Sequence, residues 1–353
     1  MSEPPFPPSS PIEPVLEAEN SPIANLSSNR GERVWLDQGF TGLVWFFAFL
    51  SVAVLVYITA VVYEGAQPAI AKFGLGFLWS REWNVPELQF GALPFIYGTL
   101  VTSALALLFA VPLGVSVAIV TSEDFLPEWV RSPIGFAVEL IAAIPSVIVG
   151  LWGIFVMIPA LLPFQVWLFN HLSWIPFFKG DCFSYPDETG AMVQDCYEPA
   201  GRSLLVAGII LTIMILPTVA AVSREVLRAI PKTLRSASMS LGATRWETIW
   251  RVILPTSASG IVGASILALG RALGETMAVT MVIGNTAQIT ESLLSPGYTI
   301  PAVLANEFAE ALDDAHVGAL MYLALVLFVV TLVVNLIATF VVKLVATGVG
   351  DGD

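Results

Sequence analysis

Arg271 and Glu275 stand four residues apart inside an apolar run, Thr256 to Ile283, that is long enough to cross a bilayer. A charge at the bilayer centre costs about 3 kcal/mol on insertion scales, so such a residue is a functional candidate by default. An arginine there presents a planar fork of donors and cannot lose its charge, which suits an oxyanion such as phosphate. Glu275 has two readings. It neutralises Arg271 in a structural lock, or it competes for the guanidinium so that a bound anion is released. Chemistry alone leaves both open. Ser146, Thr276 and Asn285 could line a polar path, although Ser and Thr in spans often bond back to their own helix. Gly270 and Gly274 beside the charges have the spacing of close helix packing.

These residues need a membrane-embedded scaffold. The chain has 353 residues, 56% hydrophobic and only 12% charged, where soluble domains carry about a quarter charged residues. It reads as an all-α polytopic membrane protein with six transmembrane helices, at about 41–63, 95–121, 133–160, 204–222, 256–283 and 317–342. Residues 1–35 are expected to be a disordered, acidic tail without the apolar stretch of a signal peptide. Residues 65–94 interleave charges with Phe73, Phe77, Trp79 and Trp83, which predicts an interfacial aromatic segment. The third span carries Glu139 and a break at Ile144-Pro145-Ser146, tolerated at membrane depth where it lines a cavity or packs on protein. Residues 346–353 form a short tail. Two Cys and two His give no metal-cluster spacing, nothing near His171 or His316 suggests a role, and nothing points to nucleic acid. No G-x-x-x-x-G-K-[ST] occurs, so the chain has no nucleotide-binding motif of its own.

A basic segment, 231–254, precedes the charged span. Pro231 suits a first helical position, and Leu234, Ala237, Ser238 and Leu241 share one helix face. Gly242 fits a helix-ending position. Thr244 and Glu247 have capping-box spacing, so a second helix starts at Thr244, with Trp246, Ile249, Trp250 and Ile253 on its apolar face and Leu254-Pro255 as its end. The product is a helical hairpin, either an interfacial amphipathic loop or a docking element for a partner.

With the N-terminus inside, ten Lys and Arg fall inside and four outside, with Arg271 completing the fifteen. That distribution fits the positive-inside rule and puts both termini in the cytoplasm. The loop 162–202 then lies outside. A bridge between its Cys182 and Cys196 would stabilise it by roughly 3 kcal/mol, if that side is oxidising.

Ser240-Leu241-Gly242-Ala243, with the later Ile253-Leu254-Pro255, resembles the cytoplasmic coupling loop of bacterial ABC importer permeases, with Ser236-Ala237-Ser238 in place of its usual Glu-Ala-Ala opening. The string Gly270 to Thr280, then Ile283-Gly284-Asn285-Thr286, is similar to the phosphate-specific importer permeases of PstC type. Ile144-Pro145-Ser146-Val147, Gly150-Leu151-Trp152-Gly153 and Ala305 to Glu310 share that similarity. The resemblance spans roughly 96–342, less the Cys loop. It implies a type I ABC importer permease fold in a bacterial inner membrane, contacting lipid. It implies a PstA-type partner permease, a PstB-type ATPase dimer that binds ATP and Mg²⁺, and a PstS-type phosphate-binding protein; this chain would bind no cofactor. It also implies that Arg271 and Glu275 act in phosphate passage and that Ser240, Leu241, Gly242, Ala243 and Trp246 meet the ATPase. Two other readings share part of the pattern. A permease for molybdate or sulfate would share the hairpin, and an ion-coupled secondary carrier would need duplicated halves and paired broken helices.

Overall fold

The computed structural model describes the backbone of residues 30–123, 126–186 and 192–350, and the side chains of residues 38–123, 126–180 and 197–342. The chain divides into two compact units, Met1–Ala60 and Val61–Asp353. The described part of the first unit is helical, since helix α1 (Arg30–Phe73) begins there. Residues 30–35, expected as tail, are therefore helix. From Gln38 to Ala60 every residue is exposed, Trp45, Phe46 and Phe49 among them. A helix apolar all round needs lipid or another protein against it.

The second unit is built on α6 (Leu204–Ala229). Helices α2 (Leu93–Ser122), α3 (Glu128–Ala142), α9 (Leu254–Gly274) and the short α10 (Met277–Val282) pack on it. Lipid supplies no hydrophobic drive for association, so small residues set the closest contacts. A Cβ at Gly114 of α2 would lie 2.8 Å from Val219 of α6, and one at Gly208 of α6 would press on Leu105 of α2. Ile210, Leu211, Ile215 and Leu227 of α6 are completely covered.

Among the described residues six helices are long and apolar enough to span a membrane, as expected, but several boundaries differ. The third long apolar helix runs Ser146–Leu172, through α4 (Ser146–Trp152), a π turn (Gly153–Met157) and α5 (Ile158–Leu172). The expected span 133–160 straddles the break at Ala143–Pro145 instead, and most of its first part belongs to α3. The loop expected from 162 begins only after Leu172. Glu139, read as a buried acid, is not enclosed by this chain: its side chain is 63% exposed and accepts from Arg224 Nη2 at 2.9 Å. The loop also carries an antiparallel strand pair absent from the sequence reading, β1 (Asp181–Pro186) and β2 (Met192–Tyr197).

Leu254-Pro255 does not end the second basic helix. Helix α8 (Arg245–Thr248) passes through a π turn (Ile249–Ile253) into α9 without interruption. Leu254 N–H bonds to Ile249 O in that turn, and Ile158 N–H bonds to Gly153 O in the other, each just before a proline. A proline ring clashes with the carbonyl four residues back; widening the preceding turn relieves that clash and lets the helix continue. The fifth span stops at Gly274, short of the expected Ile283, and α12 (Asp314–Gly350) runs through residues 346–350, expected as tail.

The segment from Gly284 to Thr299 is irregular yet well bonded. Leu204 and Leu205 N–H donate to Ser295 O at 3.1 Å and Leu293 O at 2.8 Å, and Tyr97 Oη donates to Thr290 O at 2.7 Å. It ends in α11 (Ile300–Glu307), whose Ile300 N–H donates to Thr99 Oγ1 at 2.9 Å. The aromatic residues of 65–94, expected at the membrane interface, are partly internal: Phe77 stacks on Tyr322 of α12 at 4.5 Å, while Trp79 stays exposed.

The side chains of Cys182 and Cys196 lie outside the described residues, but the backbone register sets the two residues directly opposite each other. Facing positions of an antiparallel pair have Cα separations of about 4.5–5.5 Å, within disulfide range. Alkylation of the unreduced protein is expected to label neither cysteine, and both after reduction; two reactive thiols before reduction would exclude the bridge.

Candidate functional site

Helix α9 has two faces. Ser257, Ala264, Ala268 and Ala272 are buried, toward the packed bundle. The other face is open: a Cβ at Gly263, Gly270 or Gly274 would meet nothing within 4 Å, Leu267 is 60% exposed, and Arg271 is exposed beside it. Among the described residues of this chain, nothing packs closely against Gly270 or Gly274.

Arg271 and Glu275 do not share a helical turn. Arg271 lies in the last turn of α9, and Glu275 is its extended C-cap, at φ −68° and ψ 125°. Among the described residues no ion pair joins them, and no acceptor reaches Arg271. Glu275 instead accepts from Ala278 N–H at 3.4 Å, at the start of α10. Each charge sits at the helix end whose dipole favours it, the cation at a C-terminus and the carboxylate at an N-terminus. Thr276 Oγ1 donates to Gly274 O at 3.2 Å across the break.

Ser146 joins this break through packing. A Cβ at Gly150 would lie 3.0 Å from Ala278 Cα, and one at Gly153 would lie 2.8 Å from Val282. Helices α4 and α10 therefore run side by side in one direction, and both start beside a chain break, Ser146 at one and Thr276 at the other. Asn285 is not part of this cluster. It lies beyond the far end of α10, exposed, at φ 54° after Gly284 at φ 101°.

The second candidate region is the turn between α7 (Lys232–Ser240) and α8. The expected capping box is present: Glu247 N–H donates to Thr244 Oγ1 at 3.2 Å, and Thr244 N–H to Glu247 Oε2 at 2.9 Å. Gly242 has φ 88°, with open space around its Cα, so backbone conformation and not room requires glycine there. Ala243 N–H returns to Ser238 O, and Ser240 Oγ donates to Ser236 O at 2.8 Å. Leu241 is 90% exposed, and Trp246 and Trp250 project nearby, edge to face. This is a hydrogen-bonded turn with an apolar tip.

Its anchor escaped the sequence reading. Arg235 Nη2 donates to Glu123 Oε1 at 2.8 Å and Nε to the same oxygen at 3.1 Å. Arg235 also donates to Leu227 O and Ile230 O, both at 2.8 Å, at the end of α6. Glu307 and His316 were missed as well. Trp83 Nε1 donates to Glu307 Oε2 at 2.9 Å, and His316 Nε2 lies 3.1 Å from the same atom, with His316 buried under Phe90. Asn306 Nδ2 donates to Tyr298 Oη at 2.9 Å, and burial pushes that phenol up to about 12. The Ala305–Glu310 string is thus partly a structural network.

This fold, with its broken spans and protruding turn, belongs to a defined class: the chain is a member of the binding-protein-dependent transport system inner membrane components, which match it over residues 110–350. The solved permease of a bacterial alginate ABC transporter has the same fold, at TM-score 0.51 and 18% identity, covering 87% of this chain and 96% of that one. Within the class the chain belongs to the PstC-type phosphate transport permeases. It is 44% identical over 293 residues to the phosphate transport system permease protein PstC of Pasteurella multocida, covering 82% of this chain and 86% of the relative. It is 40% identical over 292 residues to PstC of Xylella fastidiosa, covering 82% and 85%. The probable PstC of Methanocaldococcus jannaschii is 36% identical over 301 residues, covering 84% and 90%.

The Arg235–Glu123 pair, with side chains only 18% and 15% exposed, predicts a stability effect. Arg235→Met should cost about 2 kcal/mol, below the ~3–5 of a fully buried pair, read as a lower thermal midpoint of the purified protein. The double change with Glu123→Leu should recover part of it. Recovery stays incomplete because the Leu227 and Ile230 carbonyls still lack their donor.

Proposed function

We propose that this chain is the membrane-spanning permease subunit of an ATP-driven phosphate importer, passing inorganic phosphate from an extracytoplasmic binding protein to the cytoplasm. The observation that carries the reading is Arg271: an exposed guanidinium on the open face of α9, at a chain break, with its carboxylate neighbour engaged elsewhere. A phosphate reaching Arg271 meets a fork with its donors uncommitted. Glu275, Thr276 and Ser146 stand at the same pair of breaks and complete the polar surface. Asn285 belongs to the next stretch of the path. Attraction to Arg271 strengthens as water is excluded, and Glu275 keeps it weak enough for release.

The open glycine face of α9 and the exposed apolar helices fit a second permease, of PstA type, which would close the path from the other side. The protruding α7–α8 turn fits a groove on a PstB-type ATPase dimer, where ATP and Mg²⁺ would bind, with Ser240, Leu241, Gly242, Ala243 and Trp246 at the contact. A PstS-type protein would deliver phosphate on the opposite face. The basic residues gather at the α7–α8 end, which supports a cytoplasmic position for that end and for both termini. Membership in the PstC-type family sets molybdate, sulfate and ion-coupled carriers behind this reading.

Arg271→Ala is expected to lower labelled-phosphate uptake by verified, assembled vesicle complexes about a hundredfold, the scale of a removed charge-assisted contact. Arg271→Lys keeps the charge without the fork and should fall between. Near-normal uptake by Arg271→Ala would mean that phosphate takes another route.

Gly242→Val forces a β-branched residue to positive φ, a strain of about 1–2 kcal/mol. The protein should still insert, while ATP hydrolysis by the complex loses its dependence on phosphate delivery. Normal coupled transport by this variant would remove the turn from the ATPase contact.

A further inference from the structure

The side chain of Gln165, in α5, is completely buried, and both of its ends bond to one short turn. Its Nε2 donates to Gly201 O at 3.1 Å, and its Oε1 accepts from Ser203 Oγ at 3.2 Å. Ser203 in turn caps α6, accepting from Val206 N–H. Gly201 has φ 97°, and a Cβ there would lie 2.7 Å from Ile158 of α5. A buried amide in a membrane span is costly unless its ends are bonded. Here those bonds fix the backbone on either side of Arg202.

Arg202 itself is exposed between two buried neighbours. Among the described residues its guanidinium has no hydrogen bond or ion pair, and the carboxylates of the adjoining segments, Glu198 and Glu291, do not pair with it. It stands just before the N-cap of α6, where the helix dipole repels a cation and draws an anion. A clamped backbone thus carries an uncommitted guanidinium at a place that favours negative charge.

This turn meets the segment that holds Asn285. A Cβ at Gly284 would lie 3.6 Å from Arg202 Cβ and 2.5 Å from Pro296 Cβ, so glycine lets the two segments close on each other. Asn285 follows, exposed, its side-chain amide without a hydrogen bond among the described residues. Thr286 N–H donates to Gly297 O at 3.1 Å and holds the chain there. Between this point and the Thr276 break lies α10, 6 residues long, or about 9 Å at 1.5 Å per residue. Arg202 and Arg271 therefore bracket one short helix. Helix α6 runs from the Arg202 turn to the base of the α7–α8 protrusion, so Arg202 lies at the opposite end from the ATPase contact.

Resting on the phosphate reading above, we propose that Arg202 is a second phosphate-binding residue, which receives the anion at the extracytoplasmic mouth before it passes along α10 to Arg271. Asn285 supplies a further donor, and Gln165 is the positioning residue. A guanidinium fork engages two phosphate oxygens at once. A cation at the mouth also raises the local concentration of anion. The open position keeps binding weak, as passage requires.

The test is protection of Arg202 from phenylglyoxal, an arginine-selective reagent, in the assembled transporter held in phosphatidylcholine bilayers and read peptide by peptide by mass spectrometry. Arg202 should react in phosphate-free buffer. Inorganic phosphate at about ten times its dissociation constant should slow that reaction about tenfold, and chloride at equal ionic strength should not. Gln165→Met leaves Arg202 reactive but frees its neighbours, so most of the protection should be lost; full protection in this variant overturns the positioning role. Arg202→Gln should lower labelled-phosphate uptake about tenfold, the low end of electrostatic steering, and Arg202→Lys less. No reaction in phosphate-free buffer, equal protection by chloride, or normal uptake by Arg202→Gln overturns the site. Protection by phosphatidylglycerol in the bilayer but not by inorganic phosphate assigns Arg202 to a lipid headgroup and overturns its place in the path. Normal uptake by Arg271→Ala, with phosphate still protecting Arg202 and Arg202→Gln still impaired, removes the inner step and upholds the outer one.

Discussion

The constraint on which the structure rests is the fate of the unpaired backbone groups at the two ends of α6. A helix leaves its first N–H and last C=O groups without internal partners, and in a membrane protein each orphan buried from water costs several kcal/mol. At the N-terminal end, Leu204 and Leu205 donate to the carbonyls of Ser295 and Leu293. At the C-terminal end, Leu227 and Ile230 accept from Arg235. The partners are the irregular segment before α11 and the base of the α7–α8 protrusion. The segment before α11 and the α7–α8 protrusion are thus both bonded into the same central helix.

The break at Gly274–Thr276 follows a similar economy. Ending α9 there gives Arg271 a helix C-terminus and gives Glu275 the N-terminus of α10. Charges that would otherwise have to neutralise each other are each met by a helix dipole. The guanidinium can then stay uncommitted on an open face, which an ion-paired arginine could not do.

Much of this was legible from residue types. Six spans follow from apolar runs too long for any other role, and the Thr244–Glu247 box forms as its spacing requires. The misreadings have physical causes. Pro255 reads as a stop, because nothing in a one-dimensional pattern shows that a π turn removes its clash. The α9–α10 break contains no proline, and apolar residues continue on both sides of it, so periodicity carried the fifth span too far. Apolar residues likewise flank Pro145, which hid the start of the third long helix. The Trp83–Glu307 contact joins residues 224 positions apart, beyond the reach of local spacing. Arg235 was counted as one basic residue among several, since its role depends on carbonyls and a carboxylate that only folding brings to it.

The uninterrupted passage from α8 into α9 has a mechanical consequence. Residues Arg245–Gly274, 30 in all, make one shaft about 45 Å long at 1.5 Å per residue. Trp246 stands at one end and Arg271 at the other. The π turn at Ile249–Ile253 lies close to the Trp246 end, so it divides the shaft into a short arm and a long one. Protrusion and guanidinium are therefore tied together by one unbroken run of helix, with no loop between them to take up a change of length.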